Sequence, residues 1–198
     1  MQLLANTTSP YTRIARIALW EKGFGEVPTR LVDPWADEPE HLAANPAARV
    51  PTLLLDDGRA LTESLLIVLW LERMRPEPSL LGDDPTGVLA LAGVAMGVID
   101  AAAHTIISRR SAGPGFDASP VGLRRRRSMV FGFGRLEAAA AGIAADPPDL
   151  ATITTVVALD YVRFRFADAD WLPELPGLDR LRARLRGRPS IDRTMPYV

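Results

Sequence analysis

The chain has 198 residues, 47% of them hydrophobic, and its 23 Lys and Arg nearly balance its 24 Asp and Glu for a formal net charge of −1. That length suits one large domain or two small ones with a packed core and excludes wholesale disorder, and the charge balance supplies no positive field to draw the chain to nucleic acid or an anionic membrane. Cysteine is absent, which excludes disulfides and thiolate metal sites; His41 and His104 are too few and too far apart for zinc, so no metal is expected.

Met1 runs into Gln2, Leu3, Leu4 and Ala5 with no basic region followed by a long apolar stretch, which argues against a secretory signal. No apolar run approaches membrane-spanning length, so a cytoplasmic protein is expected. Leu3 to Ala5 predicts a strand, and Ile14, Ile17, Ala18 and Glu21 at helical spacing before Gly23 predict a helix. Val27 to Val32 fits a second strand and Glu38 to Ala44 a short helix. Thr52 to Leu55 fits a third strand, turning at Asp56, Asp57 and Gly58 into a short fourth, and a helix from Ser64 to Met74 closes the unit. This order, over about 75 residues, is that of a thioredoxin-like α/β fold.

Arg75 to Asp84 carries Pro76, Pro78 and Gly82 and reads as a linker, so the expected domains are 1–76 and 86–198 with 77–85 between them. Strand signals then nearly vanish. Val88, Leu91, Ala92, Ala95, Met96, Ile99, Ala102, Ala103 and Ile106 mark a long amphipathic helix ending near Arg110, and Gly113, Pro114 and Gly115 interrupt it. Ser119 and Pro120 predict the cap and first residue of a helix towards Ala144. Pro147 and Pro148 stop that helix, Asp149 caps another to about Phe166, and a short one spans Leu178 to Arg186. The second domain is expected to be all-helical.

Ser9-Pro10-Tyr11-Thr12 occupies the strand-to-helix turn where redox proteins place Cys-Pro-Tyr-Cys. Without a protein thiol, disulfide exchange is excluded, and any sulfur chemistry uses a sulfur brought by the substrate. Ser9 reads either as a helix cap or as a hydroxyl donor to a bound thiolate, where oriented amides favour negative charge. Arg49-Val50-Pro51-Thr52 reads either as a strand-starting proline or, with a cis Val50–Pro51 bond, as a bend that offers the Val50 N–H and C=O to an extended peptide. Thr62-Glu63-Ser64 reads as ordinary capping or as a holder for an amino-acid head group. In the second case the helix-start N–H groups and the Ser64 hydroxyl take the α-carboxylate, and Glu63 takes the α-ammonium.

Ser9-Pro10-Tyr11, Asn45-Pro46 followed by Arg49-Val50-Pro51, and Glu63-Ser64, with a helical domain behind them, resemble a cytosolic-type glutathione S-transferase of the bacterial, serine-type, omega-like kind. The resemblance covers essentially the whole chain. It implies that Val50 and Pro51 bind the cysteinyl backbone of glutathione, that Glu63 and Ser64 hold the γ-glutamyl group, and that Ser9 stabilises the thiolate, with Thr8 second in line. Arg49 is implied to pair with the glycyl carboxylate, with Trp35 as a further wall. The implied function is attack of glutathione, as co-substrate, on a small hydrophobic electrophile by a homodimer, with Asp100 reaching the neighbouring subunit's glutathione. A glutathione-dependent isomerase or peroxidase and a non-catalytic binding module remain alternatives.

The family's Ser or Thr followed by Asp, the capping box after the prolines, is replaced here by Asp149-Leu150-Ala151-Thr152, with the capping role expected to survive. Tyr11, Arg13, Arg109, Tyr161 and Phe164 read as acceptor-pocket lining or as packing. Arg124 to Arg127 spread around a helix and form no single nucleic-acid face. Trp20 and Trp70 read as core, His104 as structural, and Lys22, the one lysine, as codon bias.

Overall fold

Strand β1 (Gln2–Ala5) is paired on both sides, and its Leu3, Leu4 and Ala5 are buried accordingly. It runs parallel to β2 (Thr29–Leu31) and antiparallel to β3 (Thr52–Leu54), which pairs antiparallel with β4 (Ala60–Thr62), giving the order β2-β1-β3-β4. A parallel neighbour requires a crossover, and helix α1 (Pro10–Glu21) supplies it. Ile14, Ile17 and Ala18 are fully buried on its inner face, at the spacing that predicted a helix. Helix α2 (Pro39–Ala44) follows β2, and α3 (Ser64–Met74) follows β4 and packs against α1. This is the expected thioredoxin-like α/β arrangement. In the register of the sheet, Leu4 faces Thr52 and Thr52 faces Thr62, one row that marks a common edge of the three strands.

The computed structural model describes residues Met1–Val198, which divide into two units: Met1–Leu80 with Gly187–Val198, and Leu81–Arg186. The division at Leu80 falls within the proline-rich stretch read as a linker. The last twelve residues, placed by sequence with the helical domain, instead join the first unit. Their anchors are side-chain contacts across the whole chain length. Glu21 accepts from Arg188 Nε at 2.8 Å and also from the Ser190 hydroxyl, and buried Arg13 donates to Thr194 Oγ1 at 3.3 Å and the Ile191 carbonyl at 3.4 Å.

Lys22 reads as codon bias in the sequence, but the structure gives it a job. Its side chain is completely buried, and its ammonium donates to the carbonyls of Arg75 (2.8 Å), Pro76 (3.2 Å) and Pro78 (2.6 Å) and pairs with Glu72. A compact ammonium with three tetrahedral donors fits such a cage, whereas a planar guanidinium does not. Glu72 in turn accepts from the Leu80 N–H at 2.8 Å, so the end of α3 and the segment after it are tied to the end of α1.

The second unit is helical, as expected: α4 (Pro85–Ala112), α5 (Pro120–Ala139), α6 (Leu150–Arg165) and α7 (Pro176–Arg184), with single 3-10 turns at Pro114–Ala118 and Ala140–Gly142. A further short helix in the first unit, α8 (Pro189–Asp192), carries the contacts to α1. By length and mean hydropathy α4 would reach across a membrane, contrary to the sequence expectation, but it packs against α5 and α6 as the core helix of its unit. Gly132 allows the close approach of α5, since a Cβ there would lie 2.4 Å from Val98 Cγ2. Asp149 caps α6 by accepting from the Thr152 N–H at 2.8 Å and hydroxyl at 2.9 Å, so the rearranged capping pair does its expected work. Trp20 and Trp70 are only half-buried, lying beside Arg193 and Phe24 rather than inside the core.

Removing the lysine ammonium leaves a largely buried carboxylate without its cation. Lys22→Met is therefore expected to cost roughly 3–5 kcal/mol in urea unfolding, Lys22→Arg is not expected to rescue it, and adding Glu72→Gln to Lys22→Met should recover part of the loss. A cost below about 1 kcal/mol would show that the cage is dispensable.

Candidate functional site

Because Leu4, Thr52 and Thr62 lie in one row, the segments that continue past that row emerge at one edge of the sheet. These are the turn from Ala5 to Ser9, the Arg49–Pro51 segment entering β3, and Glu63-Ser64 leaving β4. β2 runs parallel to β1 with Leu31 beside Ala5, so the loop carrying Trp35 leaves at the same edge. The fold thus gathers Ser9, Arg49, Val50, Pro51, Glu63 and Ser64 from distant parts of the sequence. Trp35 is exposed in its loop.

Ser9 is the cap of α1, its Oγ accepting from the Thr12 N–H at 3.1 Å. A hydroxyl can accept and donate at once, so capping leaves its proton available, and the two readings of Ser9 are compatible. Thr8 differs. Its hydroxyl donates to Asn6 Oδ1 at 2.9 Å, and its N–H donates to the same atom at 3.0 Å. Asn6 thereby folds the turn and uses up the competing hydroxyl. The Thr12 side chain is buried with no hydrogen-bond partner, so it presents nothing at the edge. The first turn of α1 carries no acidic residue to neutralise its positive end.

The Val50–Pro51 bond is cis. Neither the N–H nor the C=O of Val50 takes part in a backbone hydrogen bond of the fold, although both neighbouring strands are paired. The preceding carbonyl, that of Arg49, is by contrast held three times. Asn45 Nδ2 donates to it at 2.9 Å, Thr52 Oγ1 donates at 3.1 Å, and the His41 ring nitrogen lies 3.1 Å away. Asn45 also donates to Thr52 Oγ1 at 3.2 Å and accepts from the Ala47 N–H at 3.1 Å. His41, Asn45 and Thr52 are all buried. Sequence reasoning used Asn45-Pro46 only as part of a motif and His41 only to dismiss a metal. The available signal was a polar cluster bracketing a strand-entry proline.

Glu63 and Ser64 open α3 in an unusual way. Glu63 occupies the cap position with φ of 67°, and its side chain makes no capping bond. Ordinary capping therefore does not explain it. The first N–H groups of α3 are left without an acceptor, no acidic residue follows in the first turn, and the Ser64 hydroxyl, largely buried, makes no bond within the fold. Arg49 lies 3.6 Å from the Glu63 carboxylate in an ion pair with both side chains more than half exposed, which contributes at most about 1 kcal/mol and is easily exchanged. The edge thus presents uncapped N–H groups at α3 with charges of both signs beside them.

Two of the residues read as acceptor-pocket lining or as packing are packed. Arg13 is buried and bonded to the C-terminal segment, so it lines no pocket. Tyr161 is likewise buried within the helical unit, and burial pushes its phenol pKa up. Asp100 lies on an exposed face of α4, and Arg109 pairs with Asp117, which raises the arginine pKa and lowers that of the carboxyl.

Residues 8–74 match the family model described as the N-terminal domain of glutathione S-transferase. Over 203 aligned residues the chain is 30% identical to the uncharacterized GST-like protein YibF of Escherichia coli K12, covering 99% of this chain and 98% of that one. A 97-residue stretch, 44% of the chain, is 39% identical to 45% of the maleylacetoacetate isomerase of Pseudomonas aeruginosa. Among solved structures, a glutathione S-transferase of Methylobacterium radiotolerans in complex with glutathione sulfonate superposes with a TM-score of 0.85 at 33% identity, covering 100% of this chain and 95% of that one. The chain belongs to the glutathione S-transferase family.

A left-handed φ at a non-glycine residue costs roughly 1–3 kcal/mol, and glycine escapes it while losing somewhat more chain entropy on folding. Glu63→Gly is therefore expected to raise the thermal midpoint by about 2–4 °C, while Glu63→Ala, which keeps the strain, does not. Circular-dichroism melts of the two variants check this, and equal midpoints would remove the strain argument.

Proposed function

We propose that the chain is a glutathione transferase, working as a cytoplasmic homodimer, that activates the glutathione thiol for attack on a small hydrophobic electrophile. The observation that carries the reading is the division of labour at the first turn: the Thr8 hydroxyl is spent on Asn6, while the Ser9 hydroxyl keeps its proton at the positive end of α1. In this reading the unused Val50 N–H and C=O pair with the cysteinyl backbone of glutathione. The open start of α3 and Ser64 take the γ-glutamyl carboxylate, Glu63 takes its ammonium, and Arg49 takes the glycyl carboxylate. A peptide with two carboxylates and one ammonium suits that set of charges.

The thiol loses its proton to water, and the thiolate accepts a hydrogen bond from Ser9, which favours the charged form. Sulfur then attacks the electrophilic carbon, the C–S bond forms, and the leaving group departs with its electron pair. The partial match to an isomerase supports a second reading, in which the thiolate adds to a double bond and is later expelled. For the homodimer, the support is a row of exposed apolar side chains on α3, Leu65, Leu66 and Leu69, which a second copy would cover.

Calorimetric titration with glutathione should show binding that the Glu63→Ala, Ser64→Ala double variant loses; no heat with millimolar glutathione would sink the proposal. With 1-chloro-2,4-dinitrobenzene as electrophile, Ser9→Ala is expected to lower kcat roughly tenfold to a hundredfold, the worth of one hydrogen bond to a charged group. Thr8→Ala should leave turnover within about twofold, since its hydroxyl is already committed. Equal losses in the two variants would refute the assignment of Ser9.

A further inference from the structure

His41 lies in α2 and Asn45 just past its end, one helical turn apart and so on one face of the helix. Both reach the same atom. The Arg49 carbonyl oxygen lies 3.1 Å from His41 Nε2 and 2.9 Å from Asn45 Nδ2, and Thr52 Oγ1 donates to it from β3 at 3.1 Å. Asn45 also donates to Thr52 Oγ1, which closes a small triangle with the carbonyl oxygen. His41 stands outside that triangle, bonded to the carbonyl and to neither of the other donors. A carbonyl oxygen only accepts, so the proton of the buried imidazole lies on Nε2. A ring buried for packing alone needs no nitrogen, since a phenylalanine of similar shape fills the space without desolvating a polar group.

The Arg49 carbonyl and the Val50 N–H belong to one planar peptide unit and point in opposite directions. Whatever fixes the carbonyl therefore aims the N–H. Donors on the oxygen also polarise the peptide, drawing density from its nitrogen and making the N–H a stronger donor. Within the fold the Val50 N–H takes part in no backbone hydrogen bond, so neither its direction nor its strength serves the fold itself.

We propose that His41 is a positioning residue for the substrate peptide: through the shared peptide plane it aims and strengthens the Val50 N–H that receives the cysteinyl carbonyl of glutathione. The inference rests on the glutathione reading and adds to it a residue too deeply buried to touch the ligand.

The first test is spectroscopic and uses the unaltered His41. The chain has two histidines, so nitrogen–proton correlation spectra resolve the His41 ring once His104→Gln removes the other. A proton on Nε2 is expected, and one on Nδ1 would overturn the proposal. Kinetics with 1-chloro-2,4-dinitrobenzene then separate positioning from packing. His41→Phe, which keeps a ring and loses the donor, should raise KM for glutathione about threefold to tenfold while kcat at saturating glutathione stays within about twofold. His41→Gln, which restores a donor, should recover most of that loss. Unchanged KM in His41→Phe, equal defects in the two variants, or a fall in kcat as large as the rise in KM would overturn the proposal. Thermal midpoints report whether each variant folds; should His41→Phe not fold, the ring tautomer and the glutamine variant carry the test. Wild-type protein that takes up no glutathione in calorimetry brings down the glutathione reading and this role together, whereas glutathione binding of equal affinity in wild type and His41→Phe removes the role of His41 alone.

Discussion

The structure depends first on the mixed pairing of β1. Parallel pairing to β2 forces a helical crossover, and antiparallel pairing to β3 reverses the chain at the same edge where α1 begins. The β3–β4 hairpin then returns the chain to that edge once more. Three sequence signals that are weak when taken alone lie at one edge because a single row of residues, Leu4, Thr52 and Thr62, fixes where all three segments emerge. A register slip of one residue in β3 would turn Leu53 out of the core as well as displacing Pro51, so core packing and site geometry are specified by the same contacts.

The edge is organised by polar satisfaction rather than by bulk. At Arg49 the backbone carbonyl is bound by Asn45, Thr52 and His41, all buried, while the next residue leaves both its backbone groups unused. Buried polar groups are normally satisfied, so the concentration of donors on one carbonyl fixes the orientation of the segment that follows. The result is an extended stretch held ready to pair, whose ordering cost is met during folding rather than at the moment of binding.

The α/β order, the helical second half and the clustered motif residues were legible in the sequence because they follow from local rules: period-2 and period-3.6 patterns, Gly and Pro punctuation, and caps such as Ser9, Ser119 and Asp149. What escaped depends on long-range contacts. The pairing of Glu21 with Arg188 and of Arg13 with Thr194 links the two ends of the chain, and no local pattern announces it. Lys22 is similar: its three carbonyl partners belong to residues 75, 76 and 78, and a carbonyl has no sequence signature. The start of α8 could have been read from Pro189 at its first position, the same signal that correctly placed α5 at Pro120. Trp20 and Trp70 show the opposite failure, since a large aromatic side chain on an amphipathic helix need not lie at the centre of the core.

The starts of α1 and α3 distinguish stability from function within one unit. Both helices present an uncompensated positive end, with no acidic residue in the first turn. In α1 the cap is conventional: Ser9 accepts the Thr12 N–H in an extended backbone conformation, and stability gains by it. In α3 a serine, aspartate or glycine at the cap position would close the first turn or relieve the left-handed backbone. The chain instead holds a glutamate there, strained and making no capping bond. Local strain persists where the surrounding structure over-determines it, and here the paired β4 on one side and the packed Ile67 and Leu71 of α3 on the other do so. The stability forgone at Glu63 leaves a row of N–H groups open with a carboxylate beside them, an arrangement that the fold alone does not need and that a zwitterionic head group would complete.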